Sequence, residues 1–128
     1  MRWERVAEGR QAPGKRWRTK GNTHVAVRQV IDPAVAAVFE VDVRELRAAT
    51  RGAPRTAFTR QVAMYLAHVV CGLSLTEVGQ LFARDRTTVA HACKLVEDRR
   101  DDPELDGKLD HLERAVALLI DALFSRRG

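Results

Sequence analysis

Apolar residues along this chain recur at intervals of three and four rather than two, a period that predicts helices almost throughout. The punctuation between them is that of helix ends. Asp32 followed by Pro33 reads as an N-cap and first-turn pair that opens a short helix carrying Val35, Val38 and Phe39. Asp42 and Glu45 have capping-box spacing ahead of a helix with Val43 and Leu46 that ends near Gly52 and Pro54. In "TAFTRQVAMYLAHVVCG", Phe58, Val62, Tyr65, Leu66 and Val69 make one helical stripe, and Gly72 supplies the residue after the end. Ser74 and Glu77 form a second capping box, S-x-x-E, for a helix through Val78, Leu81 and Phe82. After a tight connection at Ala83–Asp85 comes "RDRTTVAHACKLVED", and "DDPELD" then restarts the chain with an acidic cap and Pro103. The last helix carries Leu105, Leu109, Leu112, Val116, Leu119 and Leu123 in a heptad-like seam. This seam is expected to pack within the domain, with a homodimer as the alternative.

The helix that begins at Arg86 divides cleanly on a wheel of about 100° per residue. Arg86, Thr87, Ala90, His91, Lys94 and Glu97 fall in one sector, and Thr88, Val89, Ala92, Cys93, Leu95 and Val96 in the opposite one. The first sector is polar, with the small Ala90 as its one apolar member, and is expected to face outward. Asp85 can cap the helix by accepting from the Thr87 or Thr88 amide, and Arg84 and Arg86 bracket it. A short capped helix, a turn of about three residues and a second amphipathic helix make a helix-turn-helix at about 74–98. In such a motif the start of the second helix meets base edges in the major groove, where an arginine pairs with guanine and a threonine methyl touches thymine. Gly79, inside the first helix, costs about 1 kcal/mol against alanine unless space is needed. Close approach of the second helix is the expected need.

Charge sharpens this picture. Residues 1–28 hold eight Lys/Arg against two acids, a net +6, and residues 29–128 hold fourteen against fifteen, a net −1. The basic excess therefore sits in an N-terminal segment, residues 1–26, expected to be flexible and able to meet phosphates without sequence preference. Residues 27–128 are expected to form one helical domain. Cys71 and Cys93 make neither a disulfide framework nor a zinc pattern and are expected to be buried apolar residues. The four histidines lack ligand spacing, and no G-x-x-x-x-G-K-[ST] sequence is present, so neither an enzyme nor a cofactor is expected. No apolar run is long enough to span a bilayer, which points to a cytoplasmic, nucleoid-associated protein without a membrane partner.

The stretch "RQVAMYLAHVVCGLSLTEVGQLFARDRTTVAHACKLVED", with "VAAVFEVDVRELRAATRG" upstream, resembles the C-terminal DNA-binding domain, domain IV, of the bacterial replication initiator DnaA. The resemblance covers about residues 30–124. It implies an all-α, multi-helix domain of the Trp-repressor-like kind built around a helix-turn-helix, with double-stranded DNA as partner. It implies base readers at Asp85, Arg86 and Thr87. It also places Arg60, Gln61, Leu75, Thr88 and His91 at or behind the phosphate backbone, and one of Arg51 and Arg55 toward the minor groove. Arg84 and Lys94 belong to the same basic surface. The chain departs from the family pattern at three places: Arg86 stands for a histidine, Ala83 alone for two small residues, and His68 for a lysine.

The expected function is that of a sequence-specific, non-ATPase DNA-binding protein that regulates replication initiation or transcription through sites like those of DnaA. The initiator joins this domain to an ATPase, and 128 residues are expected to act without one. The alternative from a different class is an adaptor that binds DnaA or a DnaA-related ATPase regulator, with the basic tail and its Trp3 and Trp17 as the docking segment. A regulator of a phage or mobile element is a third possibility. The expected oligomeric state is a monomer or a weak homodimer.

Overall fold

A computed structural model describes residues 21–48 and 52–125. Among them the chain forms six α-helices and no strand: α1 Gly21–Phe39, α2 Val43–Arg47, α3 Pro54–Val69, α4 Leu75–Phe82, α5 Arg86–Arg99 and α6 Pro103–Ser125. None is long and apolar enough to cross a membrane. The expected basic tail lies mostly in residues 1–20, outside the described residues.

Helix α3 is the central element. It packs against α1, α2, α4 and α5, and every residue from Val62 to Val69 is buried. The single stripe expected from Phe58 to Val69 therefore understates its burial: neighbours on all sides require small or apolar residues all round, hence Ala63, Met64 and Ala67. Two polar members of this helix meet nearby backbone carbonyls. The Thr59 hydroxyl donates to the Arg55 carbonyl at 2.8 Å. His68 is buried, its Nδ1 lies 2.8 Å from the Leu73 carbonyl oxygen, and loss of hydration lowers its pKa.

The Asp32–Pro33 pair does not start a helix. Helix α1 runs through both residues, with Pro33 inside it. Asp32 is fully buried, and its Oδ2 accepts from Arg28 Nε at 3.0 Å and from Arg47 Nε at 2.8 Å. Burial of Val27, Ile31 and Val35 along the same helix outweighs the one backbone bond that proline removes. The second acid does cap: Asp42 accepts from the Arg44 amide at 2.8 Å, one residue short of the Glu45 position that a capping box would use.

The expected seam of α6 holds for its first half only. Leu109, Leu112, Val116 and Ile120 are fully buried or nearly so, whereas Leu119 is 47% and Leu123 50% exposed. A straight helix drifts about 20° per heptad relative to a 3.5-residue repeat, so the buried line passes from Val116 to Ile120 rather than to Leu119. Leu118, Leu119 and Leu123 are left facing outward. At its other end α6 is capped by Asp102, which accepts from the Glu104 amide at 3.1 Å ahead of Pro103. Arg100, the last residue of the α5 cap, pins it there. Its guanidinium donates to Asp106 at 2.5 Å, to Asp110 and Glu113 at 2.6 Å, and to the Tyr65 hydroxyl of α3 at 3.1 Å. Burial opposes its charge, but these acceptors outweigh that and raise its pKa.

Three helix ends use a left-handed residue: Glu40 at φ 59°, Gly72 at φ 76° and Ala83 at φ 57°. Glycine at the last of these removes a steric cost of about 1–2 kcal/mol while loosening the unfolded chain by about 0.5–1. Ala83→Gly is therefore expected to stabilise the fold by about 0.5 kcal/mol. Gly79→Ala is expected to do the reverse, by about 1–3 kcal/mol, because it pushes a methyl into the next turn. Thermal or urea denaturation of the two variants checks both signs.

Candidate nucleic-acid interface

The interface is built on α4, α5 and the turn between them. Helix α4 is opened by a complete capping box: the Glu77 amide donates to Ser74 Oγ at 3.0 Å and the Ser74 amide to Glu77 Oε1 at 2.7 Å. Its end is set by Ala83, whose left-handed backbone turns the chain so that the Arg84 amide bonds back to the Gly79 carbonyl at 2.9 Å. A Cβ at position 79 would lie 2.5 Å from the Arg84 carbonyl oxygen. Space is indeed required at Gly79, but for the backbone of the turn rather than for the body of the second helix. One left-handed residue closes the connection where the family pattern has two small ones.

Asp85 starts α5, accepting from the Thr88 amide at 2.8 Å. That bond, and a further one to the Thr88 side chain, hold its carboxyl below the usual carboxylate range. Arg86, Thr87, His91 and Lys94 are exposed along one face with Ala90 among them, while Val89, Ala92, Cys93 and Val96 are buried against the rest of the domain. Two residues depart from the helical-wheel assignment. Thr88 is exposed, because the first turn of α5 projects beyond the packing surface that begins at Val89. Glu97 is half-buried and accepts the Tyr65 hydroxyl at 2.7 Å. Both cysteines are buried, and burial alone pushes each thiol up to about 12.

Arginines surround the turn, and most are committed inside the protein. Arg84 donates to the Phe82 and Ala83 carbonyls at 3.2 and 3.1 Å. Arg28 donates to the Leu81 carbonyl at 3.4 Å, and its guanidinium lies 4.2 Å from the Phe82 ring centroid. Together they neutralise the carbonyl end of α4. Arg60, only 6% exposed, donates to the Leu46 and Glu45 carbonyls at 3.0 and 3.2 Å. Desolvation lowers its pKa first, with the like charges of Arg84 and Arg28 adding to the effect. Lys94 pairs with Asp98 at 3.3 Å. Arg86 makes no hydrogen bond or ion pair with any described residue.

The model of the bacterial DnaA helix-turn-helix family matches residues 27–96. The chain belongs to this family. It is 43% identical over 75 residues to the chromosomal replication initiator protein DnaA 1 of Protochlamydia amoebophila, covering 59% of this chain and 16% of that protein. Over 97 residues it is 39% identical to the DnaA of Herminiimonas arsenicoxydans, covering 74% of this chain and 21% of that protein. Over 100 residues it is 37% identical to the DnaA of Burkholderia multivorans, covering 77% of this chain and 19% of that protein. The chain spans about a fifth of the length of the curated relatives it matches. The DnaA module is a DNA-binding domain and not a catalytic one. Among the described residues, no group of three or more His, Cys, Asp or Glu is placed to hold a metal ion.

Of the residues expected at the DnaA-type interface, Asp85, Arg86, Thr87, Thr88, His91 and Lys94 come together on the outer face of α5. Arg84 flanks them from the turn, and Leu75 lies half-buried in the first turn of α4, where backbone amides lack helical partners. Arg55 is exposed and Gln61 half-buried on α3. Arg51 lies outside the described residues. Arg60 faces the interior with at least two donors engaged, so its first role is to hold α2 on α3. Sequence reasoning missed Arg28 by counting it with the basic tail. The available signal was its i, i+4 spacing from Asp32, an ion pair now seen at 3.0 Å.

The Asp85 cap carries a pH signature. Its stabilisation is full above 3.8, the ordinary carboxylate value, and is lost as pH falls through the lower folded-state value. Asp85→Ala is expected to melt below the parent protein at pH 7. The gap in melting temperature should narrow as the pH is taken below that ordinary value. A constant gap from pH 7 to strong acid would contradict the cap.

Proposed function

We propose that this DnaA-family module binds double-stranded DNA sequence-specifically, as a regulator of replication initiation or of transcription at sites like those of the initiator. Helix α5 enters the major groove, with Arg86 and Thr87 toward base edges and Asp85 holding the helix start. Thr88, His91, Lys94 and Gln61 serve the phosphate backbone, with the amide of Leu75, and Arg55 reaches the flanking groove. Arg60 and Arg84 act chiefly by holding the elements that present these groups. The observation that supports this reading most is the bare first turn of α5, in which exposed Arg86 and Thr87 are uncovered by α6. Phosphate contacts and the basic excess of residues 1–28 add attraction without sequence preference, so discrimination comes from base contacts.

Two variants separate the two kinds of contact. On a site selected from random duplexes, Thr87→Ala is expected to cost about 1 kcal/mol and to relax the preference at one position. Lys94→Ala is expected to weaken binding to all sequences alike and to reduce the salt slope by about 1 or less, since Asp98 already neutralises part of that charge. Binding measured by fluorescence anisotropy at several salt concentrations reads both. Equal affinity of the parent protein for selected and scrambled duplexes would overturn the proposal.

A further inference from the structure

We infer that Arg86 makes the module select a guanine, read at its major-groove edge, at the position facing the start of α5. The inference rests on the DNA-binding reading above and goes beyond it by naming the base. Three observations carry it.

The first is that Arg86 is misplaced for stability. It is the first residue of α5, where the exposed amide ends of the helix favour an anion and disfavour a cation. The first turn of α5 holds no acidic residue to offset it. The nearby carboxylate of Asp85 is engaged by the Thr88 amide and makes no bond to Arg86.

The second is that the arginines around it are employed inside the protein. Arg28 and Arg47 meet Asp32, Arg60 and Arg84 meet backbone carbonyls, and Arg100 meets three carboxylates. Arg86 alone on the α5 face is an exposed guanidinium with all five donors unused by described residues.

The third is shape. A guanidinium offers two parallel N–H donors in a planar fork. In the major groove only guanine presents two adjacent acceptors, N7 and O6, whereas adenine pairs an acceptor with a donor and thymine sets a methyl beside its acceptor. Ala90, one turn along the same face, carries nothing that would hold the base edge away.

The test uses the full chain. Duplexes are selected from a random library, and binding to the selected site is then measured with single-base analogues and with Arg86→Ala. A guanine should be enriched at one position. Replacing that G·C pair by A·T should weaken binding about 5- to 150-fold. Removing N7 alone, with 7-deazaguanine, should weaken it about 2- to 12-fold, since one of the two bonds is lost. Inosine, which alters only the minor-groove edge, should change nothing. In Arg86→Ala all these ratios should fall to about one. The melting temperature of that variant should be unchanged or higher, because a cation has left the amide end of the helix, so unfolding does not explain the loss. If sequences are enriched but no guanine depends on Arg86, or 7-deazaguanine is tolerated, the base assignment is wrong and the DNA-binding reading stands. If no sequence is enriched, both are wrong.

Discussion

The geometry of the interface depends on one close approach. The Arg84 carbonyl oxygen occupies the place where a side chain at position 79 would begin. A methyl there would have to displace backbone, which is far stiffer than the end of a side chain. The left-handed residue Ala83, the Arg84 amide bond to the Gly79 carbonyl and the Asp85 cap all follow within three residues of that contact. They set the direction in which α5 leaves α4, and so which of its side chains face outward. The glycine is unfavourable for helix α4 taken alone. Its justification is the angle between the two helices, a property that belongs to neither.

Arginine does two different jobs in this fold. Arg28, Arg60, Arg84 and Arg100 are interior fasteners that use the fork to hold carbonyls at helix ends or carboxylates on the next helix. These groups are costly to bury, and each is matched by backbone carbonyls or by carboxylates. Arg86 has no such match. The distinction is invisible in a charge count, which treats all of them alike. It also explains how a module with nearly balanced charge over residues 29–128 can still present an effective cation where a duplex would meet it.

Helix α6 shows how far the packing extends. Arg100 fixes its beginning through three carboxylates, and Leu109 to Ile120 bury its inner face. Beyond Val116 the inner line turns away from the expected seam, leaving Leu118, Leu119 and Leu123 outside the core. The same helix leaves the first turn of α5 clear. The domain is therefore closed behind the interface and open in front of it.

Much of this was readable from residues alone, and for a local reason. Ser74 with Glu77, Asp85 with the following amides, and Asp102 with Pro103 act over three or four positions, so short spacing suffices to reveal them. The alternation of Val89, Ala92, Cys93 and Val96 with Arg86, Thr87, His91 and Lys94 likewise follows from the helical repeat. At three places tertiary packing prevailed over a local rule. Asp32 has the neighbourhood of a cap but is held by Arg47, fifteen residues away, so the helix continues through Pro33. Arg60 has the look of a surface cation but is held by carbonyls of α2. Leu119 keeps the heptad count, yet Ile120 takes the buried place because the 3.6-residue repeat carries the face packed on α1 away from the heptad line. Local hydrogen bonds and periodicity are written in adjacent residues, whereas the choice among several possible partners is made only when packing brings one of them within reach.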